Sequence, residues 1–189
     1  MDLPWGSAES WKFITNVGLI TSDGPYGVNI MAAEWTHHVS YRPGLVAICI
    51  GKTKATLENI RETKEFGISL ASTDQSTIAS IAGNYTRKDT DKISALKELG
   101  FEFYKAKKIK TLMVKGASLN AECKVINEIP LGDHVMFVGE VVEAEASAKE
   151  PVAYHKGRYW LMDTNVHELS DKERERIKAV VEKHRKQIL

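Results

Sequence analysis

Cysteine is scarce in this chain of 189 residues: only Cys49 and Cys123 occur, each inside an apolar stretch and with no partner at close spacing. That excludes a disulfide framework, a zinc ribbon and a CxxC redox pair. Both thiols are expected in the core as small hydrophobes. Charge of one sign is lacking too. The 26 basic residues face 25 acidic ones, a formal net charge of +1, so no global field draws the chain to nucleic acid or to an anionic membrane. Any anion site has to be local. No apolar run is long enough to span a bilayer, and the opening MDLPWGSAES carries neither a basic leader nor an apolar stretch of signal-peptide length. The expectation is a cytoplasmic protein with no nucleic-acid and no membrane partner.

The common chemical fingerprints are missing as well. There is no G-x-G-x-x-G, so the usual dinucleotide turn is absent. Gly51-Lys52-Thr53 resembles the end of a phosphate-binding P-loop, but the motif requires glycine at position 46, where Val46 stands. The six histidines show no H-E-x-x-H spacing, and the adjacent His37 and His38 would point to opposite sides of a strand, so no metal site is expected. G-x-S-x-G is absent, which removes the usual serine-hydrolase signal.

What is present reads as many short strands with a few interrupting helices. Residues 7–13 suggest an opening helix capped by Ser7. Residues 16–33 suggest a hairpin around the turn Ser22-Asp23-Gly24-Pro25. A buried strand over 45–50 leads through Gly51 to a helix over 55–64, and a strand follows over 66–70. Helices are expected over 74–82 and 91–99. Residues 117–129 and 134–145 read as an antiparallel pair, and 158–162 as a late strand. Ser170 and Glu173 form a capping box for a last helix whose Ile177, Val180, Val181, His184 and Ile188 share one face. The absence of regular β-α-β alternation argues against a doubly wound sheet and for a mainly β fold, a mostly antiparallel barrel with helical insertions. The expected organisation is a barrel domain over residues 1–165, then a C-terminal helix over 166–189 packing on the barrel or on a dimer partner.

Three constellations carry chemistry. At Gly51-Lys52-Thr53-Lys54-Ala55-Thr56 a strand runs into a helix start with two lysines and hydroxyls, suited to phosphate; alternatively Thr53 only caps the helix. In Asn29-Ile30-Met31-Ala32-Ala33-Glu34-Trp35-Thr36, the small Ala32 and Ala33 let backbone approach a flat ligand. Asn29 and Thr36 could bond its polar edge and Trp35 supply an apolar wall; alternatively Trp35 is a core residue at a strand end. In Gly132-Asp133-His134, His134 stands at a strand mouth, facing a ligand or bonding within its turn.

In their order along the chain, these pieces resemble the flavin reductase-like family of FMN-binding split β-barrels, which includes flavoredoxins and ferric reductases. The resemblance rests on Asn29-Ile30-Met31-Ala32-Ala33-Glu34-Trp35, Val39-Ser40-Tyr41-Arg42-Pro43, Lys52-Thr53-Lys54-Ala55-Thr56-Leu57-Glu58-Asn59-Ile60, Phe66-Gly67-Ile68-Ser69-Leu70, Gly132-Asp133-His134 and Tyr154-His155-Lys156-Gly157-Arg158-Tyr159. It implies a homodimer with FMN near the subunit interface. Asn29, Met31, Ala32, Ala33, Glu34 and Trp35 would line the isoalloxazine; Lys52, Thr53 and Thr56 would hold the phosphate and ribityl chain. Asn84, Lys88, Asp91 and Lys92 would belong to the segment closing over the flavin, and His134 would sit close to it. The chain departs from the family at Ile30, where glycine is frequent, and at Ala32 and Ala33, where hydroxyl residues are frequent. The implied activity passes electrons from NADH, NADPH or a protein donor through FMN to free flavin, ferric chelate or another acceptor. No side chain need act as acid, base or nucleophile. The alternatives are a flavoredoxin-like carrier without nicotinamide turnover and a binding protein that has lost the cofactor.

Overall fold

The structure is a computed structural model describing residues 2–162 and 169–183. A single 3-10 turn, Ser10–Lys12, comes first. Then follow β1 (Thr15–Asn16), β2 (Gly18–Ser22), β3 (Asn29–Ala33), β4 (Thr36–Ser40), β5 (Leu45–Gly51), α1 (Ala55–Thr63), β6 (Glu65–Leu70), α2 (Ser76–Asn84) and α3 (Lys92–Glu98). The second half holds β7 (Phe103–Lys105), β8 (Leu112–Val114), β9 (Leu119–Leu131), β10 (His134–Ala146), β11 (Ala153–His155), β12 (Arg158–Trp160) and α4 (Asp171–Lys183).

Among the described residues every strand pairing is antiparallel, and the main sheet has the order β3-β2-β6-β9-β10-β5-β4. Its two outermost strands, β3 and β4, are consecutive in the chain. They are joined only by Glu34 and Trp35, so the curled sheet brings its free edges together at this corner. The corner is held by Thr36 Oγ1 donating to the Ala33 carbonyl at 3.1 Å and by the Cys49 amide donating to the Trp35 carbonyl at 3.0 Å. The mostly antiparallel split barrel expected from the sequence is therefore the observed architecture.

Successive side chains of a strand point to opposite faces, and β2 uses both: all of it is buried. Ile20 enters the barrel interior with Ile48, Ile50, Phe66, Ile68 and Phe137, while Leu19 turns outward to Ile30, Ile78, Ile93 and Leu96 beneath α2 and α3. α1 closes the interior through Leu57 and Ile60. On the same helix the fully buried Asn59 ties down the β2–β3 turn. It donates to Ser22 Oγ at 3.2 Å and to the Gly27 carbonyl at 2.9 Å, and accepts from the Tyr26 amide at 3.0 Å. This sets where β3 begins.

Several sequence expectations shift. The opening helix shortens to the 3-10 turn, and Ser7 is not its cap: the N-cap is Glu9, without a side-chain cap bond, while Ser7 lies ahead of it with its Oγ accepting from the Ser10 amide at 3.1 Å. The helix expected from Asp74 starts at Ser76, because Asp74 is engaged by Ser72 Oγ and Lys149 Nζ at 2.6 and 2.7 Å. Asp91 lies outside α3 as its cap, accepting from the Ser94 amide at 3.2 Å. Cys123 is buried as expected, whereas Cys49 is half-buried and opens onto a cavity, since its strand, β5, lines the barrel mouth. The Ser170–Glu173 capping box forms, with the Glu173 amide donating to Ser170 Oγ at 3.3 Å and the Ser170 amide to Glu173 Oε2 at 3.0 Å. Ile177, Val180 and Val181 are exposed on α4; His184 and Ile188 of the same expected stripe lie outside the described residues. No described helix is long and apolar enough to cross a membrane.

Candidate functional site

Three adjoining cavities meet at β3, and Ala32 lines all of them. A small one, of about 200 Å³, lies between the start of β3, the first turn of α1 and the loop after α2. A larger one, of about 620 Å³, opens at the β3–β4 corner. A third, of about 440 Å³, runs from the corner to α2.

The small cavity has a basic lining. Lys54, Arg87 and Lys92 line it, and Asp89 is the one acidic residue in its wall. It also takes in Ala55 and Thr56 of the first turn of α1, where backbone N–H groups lack partners within the helix and the positive end of the dipole emerges. Asn29 is buried beside them and donates to Thr56 Oγ1 at 2.9 Å, while its own Oδ1 finds no partner among the described residues. Lys92 is only 2% exposed, and its Nζ reaches just the Ala82 carbonyl at 3.4 Å. Burial, with the neighbouring Lys54 and Arg87 charges, lowers its pKa from the ordinary 10.5 to about 8 despite the opposing pull of Asp89. A buried ammonium among like charges is costly unless an anion joins it.

The larger cavity is apolar with a polar edge. Met31, Ala32, Ala33, Glu34 and Trp35 form one wall. His134 lies against Trp35, ring centroids 4.6 Å apart, and its Nδ1 is 2.7 Å from Asp133 Oδ1. Burial pushes the Glu34 carboxyl above its usual pKa, and the nearby His134 opposes that in part.

The residues singled out from the sequence thus divide. Asn29, Met31, Ala32, Thr56, Asn84 and Lys92 line the small cavity; Ala33, Glu34, Trp35 and His134 line the larger one together with Met31 and Ala32. Thr36 does not face a cavity: it is 3% exposed and its hydroxyl is spent on the corner. Lys52 turns to the β9–β10 turn, its Nζ donating to the Gly132 carbonyl at 2.5 Å. Thr53 is exposed beyond the cavity walls, Lys88 sits 5.9 Å from the centre of the Tyr26 ring, and Asp91 caps α3. Lys54, which borders both cavities, belonged to the phosphate-suited junction but was given no role by the resemblance, and sequence reasoning left out Arg87, whose Nε donates to the Val28 carbonyl at 3.2 Å. The Lys-Thr-Lys run contained Lys54; which of its lysines turns inward depends on the Lys52 amide pairing with the Asp133 carbonyl, at 3.1 Å.

The fold has known counterparts. The model of the flavin reductase like domain matches residues 11–160. An uncharacterized protein of Pyrococcus abyssi is 34% identical over 66% of this chain and 69% of its own length. The NADH-dependent FMN reductase AsuE2 of Streptomyces nodosus subsp. asukaensis is 32% identical over 77% of both. Among solved structures, the flavoredoxin of Methanosarcina acetivorans superposes with a TM-score of 0.75 over 93% of this chain and 98% of its own, at 20% identity. With the family model spanning nearly the whole barrel, the chain belongs to the flavin reductase-like family.

Proposed function

We propose that this chain is a flavin-dependent oxidoreductase that binds FMN, its phosphate in the small cavity and its isoalloxazine along Met31–Trp35. The observation that carries the reading is the set of Lys54, Arg87 and the buried Lys92 lining one cavity at a helix N-terminus. A monoanionic or dianionic phosphate matches that charge. Thr56 and Asn29 would serve its oxygens and the ribityl hydroxyls, and Asn84 would close the far side. The absence of hydroxyl side chains at Ala32 and Ala33 leaves backbone N–H groups to meet the ring's polar edge. Bound FMN would supply the redox chemistry, taking up and giving out electrons; the protein binds, orients and shields it. NADH or NADPH is the proposed donor, in keeping with the NADH dependence named for the Streptomyces relative, and free flavin or ferric chelate the proposed acceptor. The protein is proposed to act in the cytoplasm as a homodimer.

The test is a visible spectrum of the purified protein reconstituted with FMN, before and after anaerobic NADH or NADPH. Rapid bleaching supports a nicotinamide-dependent reductase. A flavin spectrum unchanged by either nucleotide points to a carrier fed by a protein donor, and failure to bind FMN overturns the reading.

A further inference from the structure

Asn59 is fully buried in α1 and lines none of the three cavities. Its side-chain amide is committed to the β2–β3 turn. Both Nδ2 hydrogens are donated, to Ser22 Oγ and to the Gly27 carbonyl, and Oδ1 accepts from the Tyr26 amide. Aspartate lacks the two donors and leucine lacks all of these groups, so among side chains of this size only asparagine serves the set. Gly24 completes the seat. A β-carbon there would lie 2.7 Å from Asn59 Cα, so bare turn backbone rests directly on the helix. The Gly27 amide then closes the turn on the Gly24 carbonyl at 2.7 Å.

The other side of the same turn holds the loop after α2. The Val28 carbonyl, one residue past Gly27, accepts from Arg87 Nε at 3.2 Å. A β-carbon on Gly27 would lie 3.5 Å from Arg87 Nη2, so the guanidinium lies over bare backbone here too. Lys88 Nζ stands 5.9 Å from the centre of the Tyr26 ring. Asn59 therefore grips Tyr26 and Gly27 from the helix side, while Arg87 and Lys88 meet the turn from the loop side. With Nε spent on Val28, the terminal N–H groups of Arg87 remain for the small cavity it lines. Because the guanidinium is a rigid planar fork, their direction is set by where the turn holds the Val28 carbonyl.

β3 starts from this turn as well. Its first residue, Asn29, donates to Thr56 Oγ1 at 2.9 Å, one helical turn before Asn59. α1 thus shapes the small cavity twice: directly by its first turn, and at a distance through Asn59.

We infer that Asn59 is a positioning residue for anion binding in the small cavity: by fixing the β2–β3 turn it places the Val28 carbonyl, which aims the Arg87 guanidinium at the anion. The inference rests on the proposal that FMN sets its phosphate there. It assigns part of the discrimination between FMN and riboflavin to a residue that touches neither.

The experiment is a double-mutant cycle of Asn59→Ala and Arg87→Met, read as FMN and riboflavin affinity by flavin fluorescence. Hydrogen bonds between charged groups are the stronger ones, so misdirecting Arg87 should weaken FMN about tenfold and riboflavin less than about threefold. In the Arg87→Met background the Asn59 substitution should add almost no further loss of FMN, since residues that act through one another are not additive. Equal weakening of both flavins is the mark of a purely structural role and overturns the inference. So does a full Asn59 effect on FMN in the Arg87→Met background. A second readout needs no flavin. In NMR of the isotopically labelled apoprotein, the Arg87 Nε–H should exchange with solvent about tenfold faster in Asn59→Ala than in the wild type; equal exchange overturns the inference. If the protein takes up no FMN, the flavin reading fails alone and this readout decides the role of Asn59. Should Asn59→Ala not fold, the reciprocal measurement takes its place. FMN, or inorganic phosphate where FMN does not bind, should slow hydrogen exchange of the Tyr26 amide in the wild type and not in Arg87→Met. Equal slowing in both proteins overturns the inference.

Discussion

Lys92 carries a burden in the apoprotein that its role would relieve. Its folded pKa of about 8 lies below the ordinary 10.5, so between those values the unfolded chain holds a proton that the folded apoprotein has released. Stability must then rise with pH across that window, and the full penalty is present below pH 8. At 1.36 kcal/mol per pKa unit the penalty is about 3 kcal/mol. Lys92→Met should therefore raise the melting temperature of the apoprotein at pH 7, and the gain should vanish above pH 10.5; calorimetry of both proteins across pH checks this. The same variant should weaken FMN at least tenfold and leave riboflavin nearly unchanged, read by flavin fluorescence. In the wild type, FMN affinity should fall as pH rises from 7.5 to 9.5 while riboflavin affinity stays flat. Equal pH dependence of the two ligands would remove Lys92 from the phosphate site. Charge at this position was legible in the sequence, but its enclosure was not. Lys92 opens a short helix after a polar loop, where most lysines are solvated, and only the packing of α3 under Ala82 buries it.

The long hairpin of β9 and β10 is the spine of the barrel, pairing with β6 on one side and β5 on the other. It turns at Gly132, whose φ of +52° is left-handed and suits glycine. The register slips between Val138 and Gly139, and at that bulge the ring of Phe66 packs against bare backbone. A β-carbon on Gly139 would lie 2.5 Å from Phe66 Cζ and 2.9 Å from Cys123 Cβ. Since Phe66 and Cys123 are both fully buried, Gly139→Ala should cost about 1–3 kcal/mol, measured as a lower denaturation midpoint at unchanged slope. The strands β2, β3, β5, β6, β9, β10 and β12 were legible because apolar patterning and turn residues such as Asp23-Gly24 and Gly132-Asp133 are local signals, whereas the corner strand β4 and the two- and three-residue β1, β7, β8 and β11 went unread. Element ends were less legible: Asp74 was assigned to a helix because nothing in sequence announces Lys149 and Ser72 as its partners. Likewise Thr36 read as a ligand contact, since the tight corner that consumes its hydroxyl exists only once β4 has folded back beside β5.

For the whole molecule, two apolar features are left exposed among the described residues: the α4 stripe of Ile177, Val180 and Val181, and the aromatic segment ahead of β1. If α4 serves the proposed dimer, Ile177→Glu combined with Val181→Glu should convert dimer to monomer in sedimentation velocity and leave barrel stability within about 0.5 kcal/mol, as for exposed substitutions. The strand order has a further consequence. β3 and β4, which carry the site, occupy the two ends of the main ladder, each paired along one side only, whereas β9 is paired along both. Amide protons should therefore exchange with deuterated solvent in a gradient, slowest in β9 and fastest in the outer two strands. A ligand could then enter by loosening one seam while the centre keeps its protons, and FMN should slow exchange at β3 and β4 far more than at β9.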